Sequence, residues 1–236
     1  MSDSKFLLEG IGLTRRYGGF VALDNVTVQV RAGEIRGLIG SNGAGKSTLM
    51  DALSGRSITS GKVLLEGKDL SDLTAQQRRR AGMARSFQRT NIFPDLTVAE
   101  QIHLAARANE NDNAAEVMQQ LSLAHLGNRR AADVSYGEQR RLDLALALTG
   151  QPKVLLLDEP AAGLTVQESI IVAELLRRLA VSWGITVLIV EHDMDVIFSI
   201  CSKLTVLHLG KILAEGSPEE VRAMPQVVEA YLGSSA

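Results

Sequence analysis

Cysteine is almost missing from this sequence: Cys201 is the only one, which excludes an internal disulfide and a cysteine-based zinc cluster. Long apolar runs are missing too. No stretch approaches the roughly 18 residues needed to cross a bilayer. The longest candidates, VLLLDE and TVLIVE, have the length of buried strands. The opening MSDSKFLLEG has no basic flank ahead of an apolar core, so it does not read as a secretory signal. Work at a membrane therefore requires another chain to do the spanning. Neither sign of charge dominates: the net charge of −2 gives no reason to expect nucleic acid as the main partner. No internal repeat and no low-complexity tract is visible.

What remains is an ordinary globular composition. The 236 residues, 45% hydrophobic, suit one large domain or two small ones with a sizeable core. FLLEGIGL and FVALDNVTVQV, separated by the turn-like RRYGG, read as strands of a small antiparallel sheet. EIRGLIG (Glu34–Gly40) is a strand running into a glycine loop, and STLMDALSG is a helix closed by Gly55. GKVLLEGKDL reads as a further exposed strand pair. From about Thr74 to Leu126 the pattern is mainly helical, with TVAEQIHLAARA the clearest amphipathic run. After Gly150, VLLLDE, VQESIIVAELLRRLA and ITVLIVE alternate strand, helix and strand, which calls for a parallel sheet covered by helices. The helical stretch is thus inserted between two parts of one sheet.

The loop GSNGAGKS matches the P-loop pattern in full, a match that composition alone yields in roughly one chain in a hundred. Its glycines let backbone N–H groups curl around phosphate oxygens. Gly40, Ser41, Asn42, Gly43, Ala44, Gly45, Lys46, Ser47 and Thr48 are the candidate ATP contacts. Lys46 brings charge to the β and γ phosphates, and the Ser47 hydroxyl can coordinate Mg2+. An apolar strand ending in two carboxylates is commonly just a strand leaving the core. Beside a P-loop, Asp158 can reach the magnesium shell, and Glu159 is placed to orient and deprotonate an attacking water. His192, after ITVLIVE, is ordinary alone, but ligands of α/β sheets sit at strand carboxyl ends. Tyr17 either packs on an adenine face or covers the small sheet. Nothing local to Gln88 demands catalysis. VSYGEQRR, ahead of LDLALAL, has the look of a helix N-terminus and a second place for an anion.

Taken in order, these motifs resemble the ATP-binding subunits of ABC transporters over essentially the whole chain. The resemblance implies one ABC ATP-binding domain over residues 1–236, with 1–87 and 151–236 as nucleotide-binding core. Residues 88–150 would hold the Q-loop, an inserted helical subdomain and the signature helix. The implied fold is α/β, a P-loop NTPase core with a mainly parallel sheet and a small N-terminal antiparallel β subdomain. Gln88 would be the Q-loop glutamine and a Mg2+ contact, and Ala161–Leu164 the D-loop. His192 would be the switch histidine and Tyr17 the adenine-stacking aromatic. In this family two ATPase subunits pack head to tail. Ser135, Tyr136, Gly137 and Glu138 would then cap the ATP held by the other subunit's P-loop, and the helix beginning near Glu138 would aim its positive end at that anion.

The sequence departs from the family twice: VSYGEQ replaces the usual LSGGQ, and Thr165-Val166 replaces Asn-Pro after the D-loop. ARSFQRTNIFPDLTVAEQI, VSYGEQRR, DEPAAGL and the closing VVEAYLG resemble the branched-chain amino acid uptake branch. That implies a homodimer or paralogous heterodimer on the inner face of the cell membrane, joined to permease subunits and served indirectly by a periplasmic solute-binding protein. ATPases for urea uptake or lipopolysaccharide export share much of the pattern. A soluble ABC ATPase would carry two cassettes or a coiled-coil insert, and a small-metabolite kinase would lack the signature. The segment Gln76–Thr90, with five arginines and no acid, reads as a solvated helix face or as a segment near the membrane. Ile92 and Phe93, beside Pro94, form an exposed docking surface for a permease helix, which the Gln88 loop would move.

Overall fold

A computed structural model describes residues 6–86 and 91–232; Gln88 lies outside the described residues. In chain order the first half runs β1 (Leu8–Tyr17), β2 (Phe20–Val30), β3 (Ile35–Ile39), α1 (Lys46–Ser54), β4 (Ser60–Leu65), β5 (Lys68–Asp69), α2 (Ala75–Arg80) and β6 (Met83–Arg85). Three helices follow, α3 (Val98–Ala108), α4 (Ala114–Gln120) and α5 (Tyr136–Leu148). The chain then alternates through β7 (Val154–Asp158), α6 (Val166–Trp183), β8 (Thr186–Val190), α7 (Met194–Ile200) and β9 (Lys203–His208), and finishes with β10 (Lys211–Gly216) and α8 (Pro218–Ala223).

Two sheets result. β2-β1-β4-β5 is antiparallel, as the alternating N-terminal stretches predict. The second has the order β10-β9-β3-β8-β7-β6 and is parallel except for the β9–β10 hairpin. Its central strands are buried on both sides, which explains why they read as unbroken apolar runs. Successive side chains point to opposite faces. Leu155, Leu157, Val187 and Ile189 therefore join the core under α5, α6 and α7. Val154, Leu156, Leu188 and Val190 join the core shared with α1 and the antiparallel sheet. Val63 and Leu65 belong to that second core at 2% and 3% exposure, so the GKVLLEGKDL pair is exposed on one face only.

One element departs from the sequence reading. Met83–Arg85 lies inside the stretch read as mainly helical, yet it pairs in parallel with β7 at the sheet edge. Three residues are too few to show a period of two. Gly82, at φ 107, turns the chain out of α2 and into this strand.

Strand order positions the site. β8 lies between β3 and β7, with Leu38 and Asp158 both in register with Val190. Three carboxyl ends that are far apart in sequence therefore emerge side by side.

Candidate nucleotide site

The glycine loop leaves β3 at Gly40, where an added Cβ would stand 2.3 Å from the Leu207 carbonyl oxygen. No side chain fits there. Gly45, at φ 107, caps α1 with the Ala22 carbonyl 2.7 Å from where its Cβ would be. Both glycines are required by close backbone approach. Lys46 opens α1 with its side chain buried, and its Nζ donates to the Gly40 carbonyl at 2.6 Å and that of Ser41 at 3.1 Å. Burial pulls the Lys46 pKa down, while Glu159 and Asp158 push it back up. The ammonium is thus desolvated and ready to exchange carbonyl partners for phosphate oxygens. Ser47 is exposed on the first turn.

Asp158 ends β7 at 8% exposure, and burial raises its pKa although Arg85 lowers it. Arg85 Nη2 donates to Asp158 Oδ2 at 3.3 Å, and its Nη1 donates to Asp51 Oδ1 at 2.5 Å. The Asp158 carboxylate and the Ser47 hydroxyl are hard oxygen donors. Magnesium takes one or two such protein ligands, with phosphates and waters completing its shell. The donor set fits that ion.

Glu159 follows with a left-handed backbone at φ 51, its N–H donating to the Val190 carbonyl at 2.8 Å. This turn swings its carboxylate to His192, whose Nε2 is 3.0 Å from Glu159 Oε1. The β7 and β8 ends so bring a carboxylate and an imidazole together, an arrangement able to hold a water and take its proton. Tyr17 is exposed at the end of the β1–β2 hairpin, and the Arg15 guanidinium lies 4.6 Å from its ring centroid.

The signature turn reaches this cluster through the D-loop. α5 begins at Tyr136, with Ser135 as N-cap, rather than near Glu138. Ser135 Oγ accepts from the Glu138 N–H at 3.3 Å, and its hydroxyl donates to the Glu138 carboxylate, which also accepts the Ser135 N–H at 2.7 Å. The turn packs on α6 and the D-loop of its own chain, around a cavity of about 140 Å3 lined by Ser135, Gly137, Glu138, Leu164 and Glu168 among others. Tyr136 packs its ring near Gly163 and donates its hydroxyl to the Ala162 carbonyl at 3.2 Å. The Thr165-Val166 departure leaves the helix start intact. Thr165 accepts from the Glu168 N–H and Glu168 reaches back to the Thr165 N–H, a complete capping box.

Sequence reasoning overlooked three groups. Arg85 was one charge in an arginine run. Glu191 directly follows a buried strand as Glu159 does, and that parallel is the signal: it is 3% exposed, with a pKa raised by burial and lowered by the Ala161 and His192 N–H groups. Gln101, 2% exposed on α3, accepts from the Phe93 N–H at 2.8 Å and donates to the Phe93 carbonyl at 3.0 Å. Phe93 is thereby held outward at 65% exposure, whereas Ile92 packs against the core instead of joining the exposed surface.

Within the arginine run, Arg78 and Arg79 are not part of a solvated face, whereas Arg80 is exposed. Buried Arg78 donates to the carbonyls of Ala52 and Leu53, at the α1 C-terminus, and to those of Ser71 and Leu73. Arg79 donates to Ala147 and Thr149 at the α5 C-terminus, and burial lowers its pKa to about 10. Both cations meet the negative end of a helix.

Comparison with known proteins bears on the family and the fold. Residues 23–162 match the ABC transporter family model, and residues 211–236 match the model for the branched-chain amino acid ATP-binding cassette transporter. The chain is 37% identical to the high-affinity branched-chain amino acid transport ATP-binding protein LivG of Salmonella typhimurium, covering 98% of this chain and 100% of the relative. It is 34% identical, with the same coverage, to the corresponding protein BraF of Pseudomonas aeruginosa. Among solved structures, the ADP conformation of an ATP-binding cassette of an ABC transporter superimposes with a TM-score of 0.88 at 29% identity, covering 97% of this chain and 99% of that one.

Proposed function

This chain belongs to the ABC transporter ATP-binding family, and from that premise we propose that it energises uptake of branched-chain or related amino acids through a separate permease. It is an ATPase, hydrolysing ATP to ADP and phosphate in step with transport. The observation that carries the choice of solute is the full-length similarity to branched-chain amino acid transport ATP-binding proteins, together with the C-terminal match at residues 211–236.

In this reading the loop from Gly40 to Thr48 grips the triphosphate and Tyr17 stacks on the adenine. Ser47, Asp158 and Gln88 would hold Mg2+, which would neutralise phosphate charge. Glu159 takes the proton of the attacking water as its oxygen bonds to the γ-phosphorus and ADP leaves; His192 keeps the carboxylate and water aligned. A second ATPase subunit, identical or paralogous, lays its Ser135–Glu138 turn over this nucleotide. Support for closure in trans comes from a turn whose Ser135 and Gly137 line a cavity against their own α6. No described helix is long and apolar enough to cross a membrane, so transport needs the permease, and the pair would sit on the inner membrane face.

The test is ATP-driven uptake into vesicles containing the complex purified with its native permease. Leucine or isoleucine, delivered by the periplasmic solute-binding protein, should accumulate only with ATP inside. Accumulation of urea but not of these amino acids would overturn the solute assignment.

A further inference from the structure

The residues around Glu159 form a closed ring. The Ala162 N–H donates to the Glu159 carbonyl at 3.1 Å. The next link is the neighbouring Ala161, whose N–H donates to Glu191 Oε1 at 2.6 Å. Glu191 Oε2 accepts the His192 N–H at 3.1 Å, and His192 Nε2 returns to Glu159 Oε1 at 3.0 Å. The ring is also tied from outside. The Ala162 carbonyl accepts from the Tyr136 hydroxyl at 3.2 Å and from Arg140 Nη2 at 3.3 Å. Glu191 thus uses its two oxygens to hold the D-loop backbone and the switch-histidine backbone together.

We propose that Glu191 is a positioning residue for ATP hydrolysis, clamping the D-loop at Ala161 to His192 so that the imidazole stays aligned on Glu159. Tyr136, the residue that departs from the family signature, is the second anchor of the same clamp, acting on the adjacent carbonyl. The inference rests on the reading of Glu159 and His192 as the pair that handles the attacking water.

The geometry gives the clamp its purpose. Glu159 holds a left-handed backbone at φ 51 that a non-glycine residue keeps only when its surroundings impose it. Two neighbouring backbone links, to Val190 and Ala162, impose it from opposite sides. The Ala162 link is only as stiff as the D-loop turn, and that turn is pinned by Glu191 below and by Tyr136 and Arg140 above. A buried carboxylate needs donors in any protein, so satisfaction alone would be a structural role. The distinguishing feature is that the backbone donors of Glu191, at Ala161, His192 and Asp193, lie on the two loops that carry the Glu159–His192 pair.

The test uses the full-length protein and four variants: Glu191→Gln, Tyr136→Phe, His192→Ala and the double variant of Glu191 and His192. Glutamine keeps the shape but turns an N–H donor group toward backbone N–H groups that the carboxylate accepted. Glu191→Gln should lower kcat about 10- to 100-fold through misplaced geometry, with affinity for a fluorescent ATP analogue within about twofold of the parent. Because the clamp acts through the imidazole, the double variant should be no slower than His192→Ala alone. Tyr136→Phe, which removes one exposed hydroxyl and is safe for folding, should lower kcat by about twofold to fivefold with nucleotide affinity kept. Losses that multiply in the double variant, or nucleotide affinity that falls in step with kcat, would overturn the clamp while leaving the catalytic pair in place. Full turnover in His192→Ala would remove the pair as well as the clamp.

Discussion

Glu159 and His192 are 33 residues apart, yet His192 Nε2 sits 3.0 Å from Glu159 Oε1 because β7 and β8 pair in parallel and end together. The contact gives the glutamate a fixed partner on the side away from its own strand. Glu159→Gln keeps the hydrogen-bonding shape and removes the base. Steady-state turnover should fall about 10²- to 10⁴-fold while ATP binding persists. Near-normal turnover measured by phosphate release would remove Glu159 as the base.

Phe93 is held outward by two hydrogen bonds between its backbone and the Gln101 side chain, its N–H donating to Oε1 and its carbonyl accepting from Nε2. Phe93→Ala should leave ATP affinity unchanged and weaken assembly with the permease. Gln101→Ala should do the same indirectly, by freeing the loop that presents the ring. Pull-down of the permease together with transport per ATP checks both; unchanged coupling in both variants would dismiss this surface.

Arg78 links α1, on the nucleotide side, to the turn before α2 through four carbonyl oxygens. Removing it strands buried carbonyls at a helix end. Arg78→Ala should cost about 2–4 kcal/mol in chemical denaturation, more than a surface ion pair such as Lys153 with Glu66 is worth. A loss below roughly 0.5 kcal/mol, the range of surface substitutions, would show that water replaces the guanidinium without penalty.

Cys201 is 6% exposed, and burial followed by the charge of Glu34 pushes its thiol up to about 12. At pH 8 only about one molecule in ten thousand carries the thiolate, the nucleophilic form. Iodoacetamide should leave the folded protein unmodified and label it once denatured. The sign for stability follows: the thiol's contribution is complete below its free value of 9.0 and is lost as pH rises toward 12. Rapid labelling of native protein, read by mass spectrometry, would contradict this burial.

The P-loop, the Asp158-Glu159 pair and the signature were legible because each is a short contiguous string whose chemistry depends on local geometry. Even the departure at Thr165-Val166 was visible, although its mildness was not: threonine keeps the capping hydrogen bond that starts α6. The arginine run misled for the opposite reason. Side chains three to four residues apart share a helix face, and that spacing is silent on what the face meets. Arg78 and Arg79, one residue apart on α2, instead cap helices on different sides of it. β6 escaped notice because its partner, β7, lies about seventy residues downstream.

By itself, the sequence determined which groups could grip a triphosphate and which could deprotonate water, since backbone freedom at glycine and the chemistry of Lys, Asp, Glu and His travel with the residue. Only the tertiary structure decided which of them face one another. Parallel pairing in the order β3-β8-β7 sets His192 against Glu159, and burial beneath the D-loop turns Glu191 from a strand-end charge into a bridge between two loops. Proximity of that kind arises from strand order and register, which no local pattern of residues encodes.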